Sequence, residues 1–169
     1  MNLAREINKV AKLRGRFKLR SGKISNIYFD KYQFESDPKL LFEIVRKMKK
    51  LVPKNTEVLA GLEMGGIPIV TLLSQQTGIS TAFIRKQSKK YGTCKYAEGA
   101  ELKNKKVIIV EDVVSSGGAI IKAVLKMRNN GIHINSAICV IDREMGGKEK
   151  LKKHNINLVS LFDQSDLRI

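Results

Sequence analysis

The segment Val107-Ile108-Ile109-Val110-Glu111-Asp112-Val113-Val114-Ser115-Ser116-Gly117-Gly118-Ala119 constrains the fold more than any other part of the chain. It reads as an apolar strand, Val107 to Val113, that ends in two adjacent carboxylates and then in a hydroxyl- and glycine-rich turn opening a helix. A strand this apolar needs cover on both faces. The remaining sequence offers that cover by alternating helical and strand patterns. Asp37-Pro38 reads as an N-cap and first turn, followed by Leu40, Leu41, Ile44, Val45, Met48 and Leu51 at helical spacing, with Pro53 beyond. Glu57 to Gly61 reads as a short buried strand running into Gly65-Gly66, then a helix from Pro68 to Gln76 and a strand from Ser80 to Arg85. Ile120, Ala123, Val124 and Met127 mark a helix that stops at Asn129-Asn130-Gly131, and strands are expected at Ser136 to Ile141 and Leu158 to Phe162. Strands separated by helices imply βαβ units with right-handed crossovers, hence an α/β fold with a mostly parallel sheet flanked by helices.

The 169 residues show no internal repeat, low-complexity tract or linker, so one domain over residues 1–169 is expected. The apolar runs fall far short of the roughly 20 residues that span a bilayer, so no membrane partner is expected. Met1-Asn2-Leu3-Ala4-Arg5-Glu6 has no apolar stretch of the kind that precedes secretory cleavage, which makes the cytoplasm the expected compartment. Cys94 and Cys139 lie far apart without C-x-x-C spacing, so both are expected to be free thiols rather than zinc ligands or a disulfide.

Thirty-two Lys+Arg against 16 Asp+Glu give a formal charge of +16, which implies anionic partners. Such a field concentrates small phosphate-bearing molecules and nucleic acid alike, so net charge alone does not choose between them. In Lys12-Leu13-Arg14-Gly15-Arg16-Phe17-Lys18-Leu19-Arg20 the cations fall on every second residue, which in an extended chain places them on one face and protects a strand edge.

Ligands of parallel sheets bind beyond the carboxyl ends of the strands, which directs attention to the turn after Val113. Its backbone N–H groups and the positive end of the following helix form an anion cradle. Ser115 and Ser116 add hydroxyl donors there, and Gly117-Gly118 let a phosphate approach closely. Glu111 and Asp112 are suited to accept hydrogen bonds from sugar hydroxyls, so the segment describes a ribose 5-phosphate site.

This segment resembles the signature of the type I phosphoribosyltransferases, whose common substrate is phosphoribosyl pyrophosphate (PRPP). Four further segments resemble the orotate branch of that family, in the same order. They are Phe17 to Asp30; the pyrophosphate loop Gly61-Leu62-Glu63-Met64-Gly65-Gly66-Ile67-Pro68; the mobile lid Arg85-Lys86-Gln87-Ser88-Lys89-Lys90-Tyr91-Gly92-Thr93; and the base-recognition turn Ile141-Asp142-Arg143-Glu144-Met145-Gly146-Gly147. The likeness runs from about residue 14 to 167. It implies the family fold with a small N-terminal hood, and transfer of 5-phosphoribosyl from PRPP to orotate. The products would be orotidine 5′-monophosphate and pyrophosphate, in de novo pyrimidine (UMP) biosynthesis.

The connection from Arg85 to Lys106 carries eight cations against Glu98 and Glu101, and is expected to be a long structureless loop that repels itself until an anion neutralises it. Closing over pyrophosphate, it would stabilise charge developing on the leaving group. The resemblance implies Lys89, Asp112 and Lys86 as catalytic residues. It implies that PRPP meets Arg85, Lys86, Lys89, Tyr91, Glu111, Asp112, Val113, Val114, Ser115, Ser116, Gly117, Gly118 and Ala119. Orotate would meet Arg20, Tyr28, Phe29, Ser115 and Arg143, whose planar fork suits a carboxylate. Mg²⁺ is expected to be held mainly by PRPP oxygens and water, with no protein ligand assigned. The family also implies a homodimer in which the lid of one subunit serves its neighbour. Arg20 stands where lysine is common, Asn26 where proline is usual, and Tyr91 where many members have histidine. A phosphoribosyltransferase for another base is the nearest alternative, and a PRPP-sensing nucleic-acid-binding regulator is the alternative of a different class.

Overall fold

A computed structural model describes residues 2–19, 22–89 and 95–167. Helix α1 (Leu3–Ala11) leads into an antiparallel pair, β1 (Lys12–Lys18) and β2 (Ile24–Phe29), then α2 (Tyr32–Glu35) and α3 (Pro38–Met48). There follow β3 (Val58–Leu62), α4 (Gly66–Thr77), β4 (Ser80–Ile84), β5 (Ala97–Gly99), β6 (Val107–Val114), α5 (Gly118–Arg128), β7 (Ser136–Asp142), α6 (Gly147–Lys153), β8 (Asn157–Asp163) and α7 (Gln164–Leu167). The main sheet has the order β5-β4-β3-β6-β7-β8, with β5 antiparallel at one edge and every other neighbouring pair parallel. The expected architecture is therefore present: a mostly parallel sheet flanked by helices, with the β1–β2 hairpin as a separate hood.

Side chains alternate across the sheet as the pleat requires. Leu59, Ile108, Val110, Ile138 and Val140 pack with Ile44, Met48, Ile69 and Leu73 on one face. Ala60, Ile109, Ala137 and Cys139 pack with Ile120, Val124, Met127 and Leu151 on the other. Each large aliphatic side chain among them contributes about 1.5–3 kcal/mol by leaving water. Asp37 caps α3 as expected, its carboxylate accepting from the N–H groups of Lys39 at 2.9 Å and Leu40 at 3.0 Å, with Pro38 in the first turn. Cys139 is a free, buried thiol, whereas Cys94 lies outside the described residues.

Two expectations are corrected. The connection from Arg85 to Lys106 is not structureless along its described length, because β5 pairs with β4 in the register Ala82↔Gly99, Phe83↔Glu98 and Ile84↔Ala97. Its composition hides it: Ala97-Glu98-Gly99 has no apolar alternation, and backbone hydrogen bonds at an edge, such as Arg85 N–H to the Tyr96 carbonyl at 2.9 Å, hold it instead. The alternating cations of β1 do not keep to one face, because the register slips by one residue between Arg14 and Phe17. One extra residue in a strand exchanges the two faces for everything beyond it. Helix α1 was not anticipated, although Leu3, Ala4, Ile7 and Ala11 bury one stripe of it and Asn2 caps the Arg5 N–H at 3.2 Å.

Candidate active site

The carboxyl ends of β3, β6 and β7 and the loops that leave them build one connected site. Strand β6 ends at Val114, and Ser115, Ser116 and Gly117 turn the chain into α5. Gly117 takes φ +71° at the N-cap, a left-handed conformation that favours glycine, and a Cβ there would lie 3.1 Å from the Gly147 carbonyl and from the Leu151 side chain. The turn is thus set against the start of α6 rather than hanging free. Ser116, Gly118 and Ala119 are exposed at the helix N-terminus, Ser115 is half-buried, and Val113 and Val114 point into the two cores. Of the expected phosphate contacts, Val114 can offer only its backbone.

Directly before the turn the structure gathers a charged group that the sequence only half reveals. Asp112 is fully buried and forms an ion pair with Lys31, which follows the hood strand β2 by two residues. Glu111 and Glu35 are buried beside it. Burial and the adjoining Asp112 push the Glu35 carboxyl up to about 9, and the same causes raise Glu111 well above the usual carboxylate range. Burial also acts to raise Asp112, but its hydrogen bonds with Glu111, Lys31 and Glu35 outweigh that and hold it low. The group therefore sets one carboxylate held low, Asp112, against the Lys31 ammonium, with two acids raised by burial beside it. A raised acid carries less negative charge toward an anionic substrate than a free carboxylate does. Gly65 of the β3–α4 loop makes room for the pair, since a Cβ there would land inside the Asp112 carboxylate.

A cleft of about 550 Å³ opens between these loops, lined among others by Glu63, Arg85, Lys86, Ser116, Gly118 and Lys122. It brings the β3 loop, the root of the lid and the phosphate turn together. A larger cleft of about 860 Å³ lies at the opposite end of the sheet, where Lys106, Val107, Asn135 and Ser136 begin β6 and β7, and none of the expected site residues lines it. Lid cations are partly engaged: Lys89 Nζ is 2.5 Å and Arg85 Nη1 3.8 Å from Glu98 Oε1, and Lys86 N–H donates to Glu63 Oε2 at 3.2 Å. The side chain of Lys86 stands exposed. Tyr91 and Arg20 lie outside the described residues.

At the other side of the turn, Arg143 leaves β7 next to Ser115, its N–H donating to the Val114 carbonyl at 2.8 Å. Its guanidinium lies over the Phe29 ring, 5.3 Å from the centroid, and its Nε is buried without a hydrogen-bond partner. Burial lowers the pKa of the group, yet an arginine stays charged at any physiological pH. Tyr28 is exposed and stacks with Phe17 within the hood, 5.5 Å between centroids, so of the expected aromatic pair it is Phe29 that borders Arg143. Arg143 and Phe29 thus meet on the hood side of the turn, and Ser115 follows Val114, the residue whose carbonyl Arg143 bonds.

Residues 32–163 match the phosphoribosyl transferase domain family. A Nocardioides protein named orotate phosphoribosyltransferase is 41% identical over 165 residues, spanning 98% of this chain and 92% of its own length. One of the same name from Methanocella arvoryzae is 40% identical over 153 residues, spanning 90% of this chain and 87% of its own. The chain belongs to the orotate phosphoribosyltransferase family. In three dimensions it matches the crystal structure of Mycobacterium tuberculosis orotate phosphoribosyltransferase with a TM-score of 0.88 at 26% identity, covering 99% of this chain and 97% of that one.

Three members of the site were not anticipated in this family's pattern: Lys31, Glu35 and Glu98. Lys31 follows Asp30 directly in sequence and Glu35 lies five residues beyond it, and the signal for Glu35 was its place one residue after Phe34 in a short helix that buries both. Among the described residues no group of three or more His, Cys, Asp or Glu side chains is placed to hold a metal ion. The donor set, with Asp112 already paired with Lys31, fits an ion that arrives on substrate oxygens better than one resident in the protein.

Proposed function

We propose that this chain transfers the 5-phosphoribosyl group of PRPP to orotate, giving orotidine 5′-monophosphate and pyrophosphate, as a step of pyrimidine (UMP) biosynthesis. The observation that carries the orotate assignment is Arg143: a half-buried guanidinium with an unpartnered Nε, over an aromatic ring, beside the phosphate turn. A base bearing a carboxylate satisfies that group, and a base without one leaves it unpaired at a cost. The 5-phosphate sits on the N–H groups of the Ser115–Ala119 turn, and the ribose hydroxyls donate to Asp112. Orotate arrives with its carboxylate ionised, and its N1 proton passes to an oxygen of the departing pyrophosphate as the N1–C1 bond forms. The C1–O bond to pyrophosphate breaks as N1 approaches, through an oxocarbenium-like ribose. Lys89 and Arg85 then exchange Glu98 for pyrophosphate oxygens as the lid closes, and the exposed Lys86 ammonium joins them. Mg²⁺, bound through PRPP and water, supplies further neutralisation of the pyrophosphate.

The working unit in this reading is a homodimer in the cytoplasm, the lid of one subunit closing over the site of the other. None of the helices of the described residues is long and apolar enough to cross a membrane. The test is pyrophosphate release on adding orotate to protein, PRPP and Mg²⁺, beside uracil, adenine, guanine and xanthine. Release with orotate and not with the others is expected; release only with an uncharged base overturns the assignment of Arg143.

A further inference from the structure

The Lys31–Asp112 pair has a feature that a purely structural ion pair does not need. Asp112 is sealed, but about a third of the Lys31 side chain remains open to solvent, and its ammonium faces the β3–α4 loop, 3.0 Å from where a Cβ on Gly65 would stand. The loop therefore gives up a side chain at that point, the space is filled by the Asp112 carboxylate, and the Lys31 ammonium stands beside it. The order of groups along the substrate fixes what comes next to it. With the 5-phosphate on the Ser115–Ala119 turn and the ribose over Asp112, the diphosphate on C1 has to lie on the side of Asp112 away from the turn. That side is where Gly65 and Lys31 meet. Two of the lid cations stand elsewhere, Lys89 and Arg85 facing Glu98 on β5, while Lys86 is tied to the same loop only by its backbone N–H on Glu63.

We propose that Lys31 is a PRPP-binding residue that contacts the diphosphate group directly, and that its pairing with Asp112 holds both partners in place until the substrate takes them over. On binding, sugar hydroxyls donate to the Asp112 carboxylate while the ammonium, with three donors, turns toward phosphate oxygens. Each partner exchanges one charge-assisted contact for another, so neither is left buried and unpaired. The ammonium keeps its proton at neutral pH: burial acts to lower it, but Asp112 and Glu111 raise it above the usual lysine value. The inference rests on the PRPP reading given above.

The test measures direct binding by calorimetry, without orotate, of PRPP with Mg²⁺ and of ribose 5-phosphate, which has the sugar and 5-phosphate but no diphosphate. Lys31→Met keeps the length of the side chain and removes its charge, and Lys31→Arg keeps the charge. Lys31→Met is expected to weaken PRPP by about tenfold or more, the scale of one charge-assisted hydrogen bond, and ribose 5-phosphate by less than about twofold. Lys31→Arg is expected to recover most of the PRPP affinity, which a variant that merely misfolds would not allow. Equal weakening of both ligands by Lys31→Met would show that Lys31 acts only by organising Asp112, and overturns the proposal. Unchanged PRPP affinity overturns it as well. Wild-type protein that binds ribose 5-phosphate but no PRPP would overturn the activity reading itself, and this inference with it.

Discussion

The buried carboxylate group at the end of β6 and the cationic root of the lid at the sheet edge hold opposite charges by different means. Asp112 is fixed from all sides: by Lys31, by the buried acids Glu35 and Glu111, and by a loop that lacks a side chain at Gly65 so that the carboxylate fits. Lys89 and Arg85 are held by one partly exposed carboxylate, Glu98, on a three-residue edge strand. A buried group of this kind is pre-organised, and a change that leaves either charge unpaired is costly. Partly exposed pairs are weak and exchange their partners readily. The first suits a part of the site that must already be in place when the ribose arrives, and the second suits a part that must let go of its own protein to take hold of a leaving group.

The contrast breaks most severely at Gly65. Gly65→Ala introduces a single methyl where the Asp112 carboxylate now stands, so either the loop or the ion pair must move. Breaking a buried pair costs about 3–5 kcal/mol, which predicts a fall in kcat/KM for PRPP of at least about 100-fold together with a lower Tm. Steady-state kinetics and a thermal melt check both at once, and near-wild-type values in each would mean that the pair does not depend on this loop.

Arg143 tests whether the base end shares that pre-organisation. Its guanidinium waits over Phe29 with Nε unsatisfied, so Arg143→Ala removes an orotate contact without leaving any protein group newly unpaired. A bidentate charged contact is worth about 1.5–3 kcal/mol, so the orotate KM should rise by about 10- to 100-fold while the PRPP KM stays within about twofold. Equal weakening of both substrates would assign Arg143 to the architecture of the turn, through its backbone link to Val114, rather than to the base.

Much of this contrast could be read before the fold was seen, and what could not has a physical reason. Val107 to Ala119 was legible because a buried strand, a pair of acids and a glycine turn each carry a local signature, and each of them holds in the structure. Arg143 was legible through its turn. Lys31 and Glu35 were not, because their importance arises from long-range packing of the hood against β6, which no local spacing records. Strand β5 was hidden for the opposite reason: its pairing is purely backbone, and Ala97-Glu98-Gly99 has the composition of a loop. The bulge in β1 escaped too, since a one-residue slip leaves the sequence alternation intact while exchanging the faces.

Glu35 gives the buried group a pH signature of smaller size. The folded protein holds the Glu35 proton up to about pH 9, whereas an exposed glutamate releases it near 4.5. Between those values the native state binds a proton that the unfolded chain has lost, so stability falls as pH rises through that window. Glu35→Gln, which carries no titrating proton, removes the slope. At pH 8 it should be more stable than wild type by about 1–3 kcal/mol, or roughly 2–10 °C in Tm, with the difference vanishing near pH 4. Parallel melting curves for the two proteins from pH 4 to 9 would mean that Glu35 titrates normally and that the carboxylate group is more negative than described.

The smallest effect belongs to the lid. In the proposed reading Glu98 competes with the diphosphate for Lys89 and Arg85, and these same cations hold its carboxyl below the usual range, Lys89 most strongly. Glu98→Gln keeps the shape of the edge strand and its backbone pairing with β4 while removing the charge that retains the lid cations. Because partly exposed pairs of this kind are weak, the PRPP KM should fall by only about two- to fivefold, with Tm almost unchanged. The fall should be larger at low ionic strength, where the competing attraction is least screened, and should shrink as salt is added. A PRPP KM that rises in Glu98→Gln would show that Glu98 positions the lid for closure rather than restraining it. The edge strand would then belong with the pre-organised part of the site instead of standing in contrast to it.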